Sequence, residues 1–385
     1  MSTESRLWKP LRLGNLTLSH RIALAPLTRL RNDDDHLPLD LMAQYYADRA
    51  STPGTLLISE ATGVSKTAEA AANFPGISTP EQVEEWKKIY SAIHAKGSFM
   101  FQQIWDMGRA GDPDYLKSRG YKYSSSSNLP MEGRQVAPEP LTEEEIWQKI
   151  AEFRQGARNV IAAGGDGVEL HGAHGFLIDQ FISESINNRT DKWGGSVENR
   201  ARFLLEIVKA VVDEIGAERT ALRLSPFSTF QDAYTSNTWE QFSYILHELK
   251  RAGYKLAYLS LVEPRGNPSI LDATPSVTAN VIQPFGGNKQ SLDFILDIWD
   301  NQSPVIVGGG YIPDNVYQAV DGSYQKWDVV VAFGRWFISN PDLVFRVKNG
   351  VPLTPYQRET FYTPKANEGY NDYAFSPAFV EASKA

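Results

Sequence analysis

The residues of this chain best suited to chemistry gather in one stretch, 168–177. It begins as an apolar run that suits a buried strand. It then breaks into small residues that carry two imidazoles, His171 and His174, and the aromatic ring of Phe176. If the chain turns helically after His171, residues three apart face the same side. Two neutral imidazoles that point into one cavity can donate hydrogen bonds to one substrate oxygen. The stretch therefore predicts an oxygen-binding site beside an aromatic ring.

Composition narrows the class of protein. The chain has 385 residues, a formal net charge of -8 and no cysteine. An acidic chain argues against nucleic acid or an anionic membrane as a partner. The lack of cysteine excludes disulfides, thiolate catalysis and cysteine-ligated metal centres. No apolar run reaches the roughly 18 residues of a membrane span, and the N-terminus has no signal-peptide core. We expect a cytoplasmic protein that acts on a small molecule.

Eight short apolar runs alternate with helical segments along the chain. Continuous apolar strands of this kind form parallel sheets that helices cover. The pattern predicts an α/β fold, a (β/α)8 TIM barrel, as one domain over residues 1–385. A doubly wound sheet is the alternative, but no G-x-G-x-x-G turn follows the first strand. The predicted strands are Arg21–Ala25, Thr55–Glu60, Phe99–Trp105, Gly167–His171, Thr220–Leu224, Leu256–Leu261, Pro304–Val307 and Trp327–Phe333.

Four further segments complete the predicted fold. Residues 11–18 alternate around a Gly-Asn pair, which predicts an N-terminal β-hairpin that could plug one end of the barrel. Residues 108–140 follow the third strand, and their apolar residues show neither helical nor strand periodicity. An insertion this long is typical of a lid. A closing helix is predicted over 340–347, and residues 352–385 form a tail rich in tyrosine and proline.

Residues that follow the strands of a barrel share one mouth. Thr28, Gln103 and Arg223 would bring a hydroxyl, an amide and a fixed cation there, a set that suits the edge of a flavin ring. The loops after strands seven and eight are the usual phosphate site of this fold. Their glycine amides, their arginine and the short helices beside them predict phosphate binding. The residues of that predicted site are Gly309, Gly310, Gly334 and Arg335.

Two other chemistries have little support. A Schiff base needs a lysine in the barrel, and no lysine stands at the carboxyl end of a predicted strand. A metal centre at His171 and His174 needs a third ligand, and the nearby Glu60 is predicted to pack inward. We therefore expect no metal.

Four motifs resemble those of the old yellow enzyme family of FMN-dependent ene-reductases. The resemblance runs from Trp8 to Tyr373, nearly the whole chain. The motifs are Arg21–Arg29 (RIALAPLTR), Glu169–Gly175 (ELHGAHG), Asn188–Asp191 (NRTD) together with Gly194–Arg200 (GGSVENR), and Gly334–Leu343 (GRWFISNPDL).

The resemblance implies that FMN binds at the barrel mouth, that NADPH reduces it, and that hydride then passes to an α,β-unsaturated substrate. It implies a monomer or homodimer with a small-molecule enal or enone as its partner. His171 and His174 would bind the carbonyl oxygen of that substrate, and Trp105 and Tyr362 would be walls of its pocket. The residues implied to contact the flavin ring and ribityl chain are Pro26, Thr28, Ala61, Gln103 and Arg223, with the phosphate on Gly309, Gly310, Gly334 and Arg335.

Phe176 departs from the family pattern, which has a tyrosine there whose phenol protonates the substrate α-carbon. A benzyl side chain has no proton to give, and losing a general acid commonly costs about 10²–10⁴-fold. Hydride could instead return to the flavin after rotation about the transiently saturated bond. The net result would be isomerisation without net consumption of NADPH.

The substitution is similar to that in the fungal ergot-alkaloid branch of the family, which acts on chanoclavine-I aldehyde. The resemblance therefore implies an isomerase, or a reductase, of that aldehyde. Two alternatives stay open. One is a general NADPH-dependent ene-reductase in which water supplies the proton, and the other is a flavin-binding protein with little turnover.

Overall fold

In the computed structural model, residues 5–264 and 290–384 are described, and they form a closed barrel of parallel strands with helices outside it. The strands are β1 (Leu11–Leu13), β2 (Leu16–Leu18), β3 (Ile22–Leu24), β4 (Leu56–Ile58), β5 (Thr62–Gly63), β6 (Phe99–Trp105), β7 (Ser124–Ser125), β8 (Glu139–Pro140), β9 (Gly167–Gly172), β10 (Thr220–Leu224), β11 (Tyr258–Val262), β12 (Val305–Gly308) and β13 (Val329–Phe333).

The barrel is a ring of eight strands. In spatial order the ring is β3, β4, β6, β9, β10, β11, β12 and β13, and β13 pairs with β3 to close it. Every pairing in the ring is parallel. The predicted TIM barrel is confirmed, and all eight predicted strands belong to it.

Helices lie between the strands and cover the barrel. They are α1 (Asp40–Arg49), α2 (Pro80–His94), α3 (Pro113–Ser118), α4 (Glu143–Ala162), α5 (Leu177–Ile182), α6 (Val197–Ile215), α7 (Thr238–Arg251), α8 (Asp293–Trp299), α9 (Pro313–Gln318), α10 (Arg335–Ser339), α11 (Leu343–Asn349) and α12 (Pro377–Ala382). Their starts follow local signals. At α4 the Thr142 hydroxyl accepts from Glu145 N at 3.2 Å while the Glu145 carboxylate accepts from Thr142 N at 2.8 Å, a complete capping box.

The N-terminal hairpin closes the amino end of the barrel. Leu11, Leu13 and Leu18 are buried against interior side chains that include Phe101 and Tyr258. Gly14, at the hairpin tip, has φ +53°, and an added Cβ would lie 2.1 Å from the Glu218 carbonyl oxygen just ahead of β10. Only glycine fits that contact. The opposite end of the barrel, where the strands terminate, is left as the mouth.

A closing helix was predicted over 340–347, and the structure has it as α11, Leu343–Asn349, which begins three residues later. The chain forms two short helices, α10 and α11, separated at Asn340 (φ -132°, ψ 85°). Pro341 disfavours helical dihedrals in the residue before it, so the chain leaves the helix there. The Asn340 amide then donates to the carbonyls of Trp336 and Thr354, which stabilises the break.

Residues 108–140 contain short regular elements that the sequence pattern did not predict. A 3-10 turn at Gly108–Ala110 precedes α3, and β7 pairs with β8. Elements of two to six residues are too short to produce a readable period. Leu116 and Tyr123 of this segment pack in one apolar cluster with Trp105 at the end of β6. No described helix combines the length and the apolar character needed to cross a membrane.

Candidate active site

The two histidines lie at the end of β9. The chain was expected to turn helically after His171, and the structure has a different turn there. The strand continues to Gly172, and the chain then passes through left-handed backbone at His174 (φ 58°) and Gly175 (φ 73°) instead of a helical turn. Two bonds hold this turn. His174 N donates to the Ser225 hydroxyl at 2.8 Å, and Gly175 N donates to Asp179 Oδ2 at 2.8 Å. The imidazole centroids end 5.8 Å apart, edge to face.

Both imidazoles are held neutral. Burial, with His174 and Arg223 nearby, keeps the pKa of His171 well below its ordinary range. Burial and Arg223 lower the pKa of His174 from 6.5 to about 3. Within the described residues, His171 Nδ1 and His174 Nε2 have no hydrogen-bond partner. Two neutral rings with unused nitrogens can donate to one oxygen atom without adding a charge of their own.

An aromatic wall lies beside the histidines. The Trp105 ring is stacked on His171 at 5.9 Å, and the Phe176 ring lies 4.4 Å from Trp105 and 4.9 Å from His171. Phe176 is half-buried and leads directly into α5. The structure therefore brings His171, His174, Phe176 and Trp105 together, as the sequence predicted.

Tyr362 lies on the C-terminal tail, and its side chain is 60% exposed. The tail is tied to the loop after β3, because the buried Arg29 and Arg31 side chains both donate to the Phe361 carbonyl. Arg29 directly follows Thr28, so the tail is anchored next to a predicted flavin contact. A wall role for Tyr362 stays a prediction.

Beneath the histidines, the barrel interior carries a polar layer. Gln103 Nε2 donates to Glu169 Oε1 at 2.6 Å, and Arg223 Nη1 lies 3.9 Å from the same oxygen. Glu169 is fully buried. Burial raises the pKa of the Glu169 carboxyl above its ordinary value, while Arg223 and Gln103 oppose that shift. The strand register pairs Arg223 with His171 near the carboxyl ends of β10 and β9.

The other predicted cofactor residues also lie at the carboxyl ends of their strands. Pro26 and Thr28 follow β3 and are half-buried, and Ala61 follows β4 and is 4% exposed. Glu60, the acid beside Ala61, is fully buried and accepts from Arg29 N at 3.2 Å. It packs inward as expected and holds the loop that carries Thr28.

The predicted phosphate residues lie after two adjacent strands, β12 and β13, which pair in parallel. A Cβ on Gly309 (φ +156°) would come within 2.9 Å of Glu263 Cβ, so this position requires glycine. A Cβ on Gly310 would meet no atom within 4 Å, so its backbone borders open space. Gly334 precedes α10, and Arg335 is its first residue. The structure thus brings these four residues to the carboxyl ends of two adjacent strands, and their role in phosphate binding stays a prediction.

Three positioning residues were not predicted from the sequence. Asp179 and Ser225 hold the turn by accepting hydrogen bonds from backbone amides, and no sequence motif predicts bonds of this kind. Glu169 could have been found, because strand side chains alternate and it stands two residues before His171, on the same inward face.

Comparison with known proteins shows the family to which the chain is related. The model of the NADH:flavin oxidoreductase / NADH oxidase family matches residues 6–354. The chain is 47% identical over 383 residues to a chanoclavine-I aldehyde reductase of Penicillium roqueforti, with 99% of each chain covered. It is 45% identical over 377 residues to an NADP-dependent oxidoreductase of Aspergillus flavus, with 98% of each covered.

Among solved structures, the chain is similar to an old yellow enzyme from Pichia sp. AKU4542. The two share 36% identity and a TM-score of 0.87, over 98% of this chain and 95% of the other. The resemblance that the sequence motifs predicted is confirmed.

Proposed function

Because the chain belongs to the NADH:flavin oxidoreductase / NADH oxidase family, we propose that it is an FMN-dependent enzyme that isomerises or reduces an α,β-unsaturated aldehyde. The observation that carries this proposal is the pair of neutral imidazoles with unused nitrogens at the barrel mouth. Chanoclavine-I aldehyde is the substrate we propose first, since a relative with 47% identity is named for it.

FMN is the cofactor of this family, and the residues present fit it. Arg223 Nε is buried and has no hydrogen-bond partner in the described part of the chain. The Gln103 side-chain amide donates one N–H to Glu169, and its carbonyl oxygen can then accept from a ligand. We propose that Pro26, Thr28 and Ala61 border the ring on the other side. We further propose that the phosphate is held by Gly309, Gly310, Gly334 and Arg335, because these residues follow two adjacent strands and Arg335 begins a short helix.

When bound, FMN supplies hydride transfer, with NADPH as the proposed reductant in keeping with the NADP-dependent relative. The protein binds and polarises the substrate. His171 and His174 donate to the carbonyl oxygen and stabilise the negative charge that reaches it once the β-carbon has gained a hydride. Because both imidazoles are already neutral, they offer hydrogen bonds and do not surrender a full proton to that oxygen.

The fate of the α-carbon decides the product, and Phe176 has no proton to deliver to it. The enolate then carries a single bond where the alkene was. Rotation about that bond, followed by return of the same hydride to the oxidised cofactor, would give an isomeric enal without net consumption of NADPH. We propose this isomerisation as the main outcome.

Net reduction is the second candidate, and one observation favours it. Phe176 is only half-buried, so water could reach the α-carbon and protonate it slowly. The relative from Penicillium roqueforti is named a reductase. The reductase outcome would consume one NADPH for each saturated aldehyde formed.

A single experiment tests the proposal. The purified protein is mixed with chanoclavine-I aldehyde and either a catalytic or an excess amount of NADPH, and products and NADPH are quantified together. Turnover of many aldehydes per NADPH supports isomerisation, and one NADPH per saturated product supports reduction. A protein that binds no FMN, or whose FMN is not reoxidised by the aldehyde, contradicts both. Stable FMN binding without turnover supports the flavin-binding alternative.

A further inference from the structure

A buried carboxylate, Glu169, lies beneath the two side chains proposed to face the flavin edge. It belongs to β9 and is 0% exposed. Its Oε1 accepts from Gln103 Nε2 at 2.6 Å and lies 3.9 Å from Arg223 Nη1. Gln103 and Arg223 come from the strands on either side, so Glu169 joins three adjacent strands of the barrel.

This contact fixes the Gln103 amide in one orientation. An ionised carboxylate accepts hydrogen bonds and donates none, so it selects the NH2 group of Gln103 and repels the carbonyl. The Gln103 carbonyl oxygen must then point away from Glu169. Without the carboxylate, the two ends of the amide would be nearly equivalent in shape, and the group could rotate.

The same carboxylate balances the Arg223 cation. Buried charges persist when they are paired, and Glu169 is the only acid of the described residues within 4.0 Å of Arg223. One negative charge beside Arg223 reduces the positive potential that the guanidinium offers to the mouth. A flavin gains negative charge on reduction, so this pairing limits how strongly the site favours the reduced form.

We propose that Glu169 is a positioning residue that orients Gln103 toward FMN and sets the reduction potential of the bound flavin through Arg223. This inference rests on the proposed function, because it requires FMN at the barrel mouth. In this proposal Glu169 acts on the flavin through Gln103 and Arg223 and is given no contact with the substrate.

The test measures the dissociation constant and the midpoint potential of FMN in Glu169→Gln and Glu169→Asp. Glu169→Gln keeps the shape and removes the charge. The midpoint potential of its flavin should rise by at least about 30 mV, which for a two-electron couple is a tenfold change in the ratio of oxidised to reduced flavin. Its FMN affinity should fall about tenfold, because the amide of Gln103 is no longer fixed. Glu169→Asp keeps the charge but shortens the reach to Gln103, so its affinity should fall while its potential stays close to wild type.

Asp342→Asn is the matched control, because Asp342 is also a buried acid that pairs with an arginine. Its carboxylate accepts from Arg346 Nε at 2.7 Å and from the backbone N–H and hydroxyl of Ser376, and in the described part of the chain it has no bond to Gln103 or Arg223. A potential that rises equally in this control would overturn the inference, as would a Glu169→Gln enzyme with wild-type affinity and potential. If Glu169→Gln does not fold, unchanged FMN affinity in Glu169→Asp overturns it. A wild-type protein that binds no FMN refutes the proposed function itself, which is a different result.

Discussion

Replacing Phe176 by Tyr should turn an isomerising enzyme into an efficient reductase. The Phe176 ring lies 4.9 Å from the His171 ring and 4.4 Å from the Trp105 ring, so a hydroxyl on it would stand beside the proposed carbonyl site. Phe176 is half-buried, and the added oxygen therefore need not be sealed in an apolar core without a partner. Its backbone N donates to the Ala173 carbonyl at 3.3 Å, a bond that the side chain does not enter.

The size of the effect follows from general acid catalysis. A positioned proton donor contributes about 10²–10⁴-fold, which is about 3–5 kcal/mol of barrier at 1.36 kcal/mol for each factor of ten. The rate of saturated-aldehyde formation should rise by that factor, while FMN content stays the same. The yield of isomer per NADPH should fall by a similar factor. Once the α-carbon is protonated, the substrate can no longer give up the hydride on its β-carbon.

The assay follows saturated aldehyde, isomerised product and NADPH in the same reaction, with wild type and Phe176→Tyr side by side. Phe74→Tyr is the matched control. Phe74 is also half-buried, and its ring lies 5.4 Å from the Trp105 ring. It should leave the product ratio unchanged. A wild-type enzyme that already reduces the aldehyde as fast as Phe176→Tyr would refute the reasoning, and so would an equal gain in Phe74→Tyr.

Three further predictions concern binding and stability. Burial and the nearby guanidinium lower the pKa of His174 to about 3, from 6.5 in the unfolded chain. As pH falls, the unfolded chain therefore binds a proton at His174 before the folded chain does. This histidine should lower the free energy of unfolding progressively between about pH 6.5 and about pH 3, as measured by urea titration. If His174→Gln shows the same pH dependence as wild type, the prediction is wrong. His171→Ala should weaken binding of a phenol to the oxidised holoenzyme about tenfold without releasing FMN, and equal affinity in a spectral titration would count against the donor role. The buried Lys149 Nζ lies 2.6 Å from Asp106 Oδ2, so Lys149→Met should cost about 3–5 kcal/mol of unfolding free energy, whereas Lys209→Met, at an exposed pair, should leave it unchanged.

The barrel was predictable because its signals are local. Each strand is a short apolar run, and the bounds predicted for Phe99–Trp105 and Thr220–Leu224 agree with the structure residue for residue. The site residues follow from the same rule, since strand ends converge at one mouth. The break at Asn340 is also a local effect, and attention to the proline that follows it would have predicted it.

What the sequence did not predict depends on contacts between distant residues. The two arginines after Thr28 hold the tail through carbonyls more than 300 residues away, as in the bond from Arg29 Nε to Phe361 O. No period or motif carries that pairing. The left-handed turn at His174 is similar, because the hydroxyl of Ser225, just after β10, holds it in place.

Substrate binding and reaction outcome rest on different parts of the same turn. The position of His174 is fixed by bonds from backbone amides to Ser225 and Asp179, and neither bond involves the side chain of Phe176. That side chain packs against the Trp105 and His171 rings. The residue at position 176 can therefore carry a proton donor or lack one while the oxygen-binding pair keeps its geometry. A barrel of this kind can change the product of a shared first step by altering one ring, without rebuilding the site that binds the substrate.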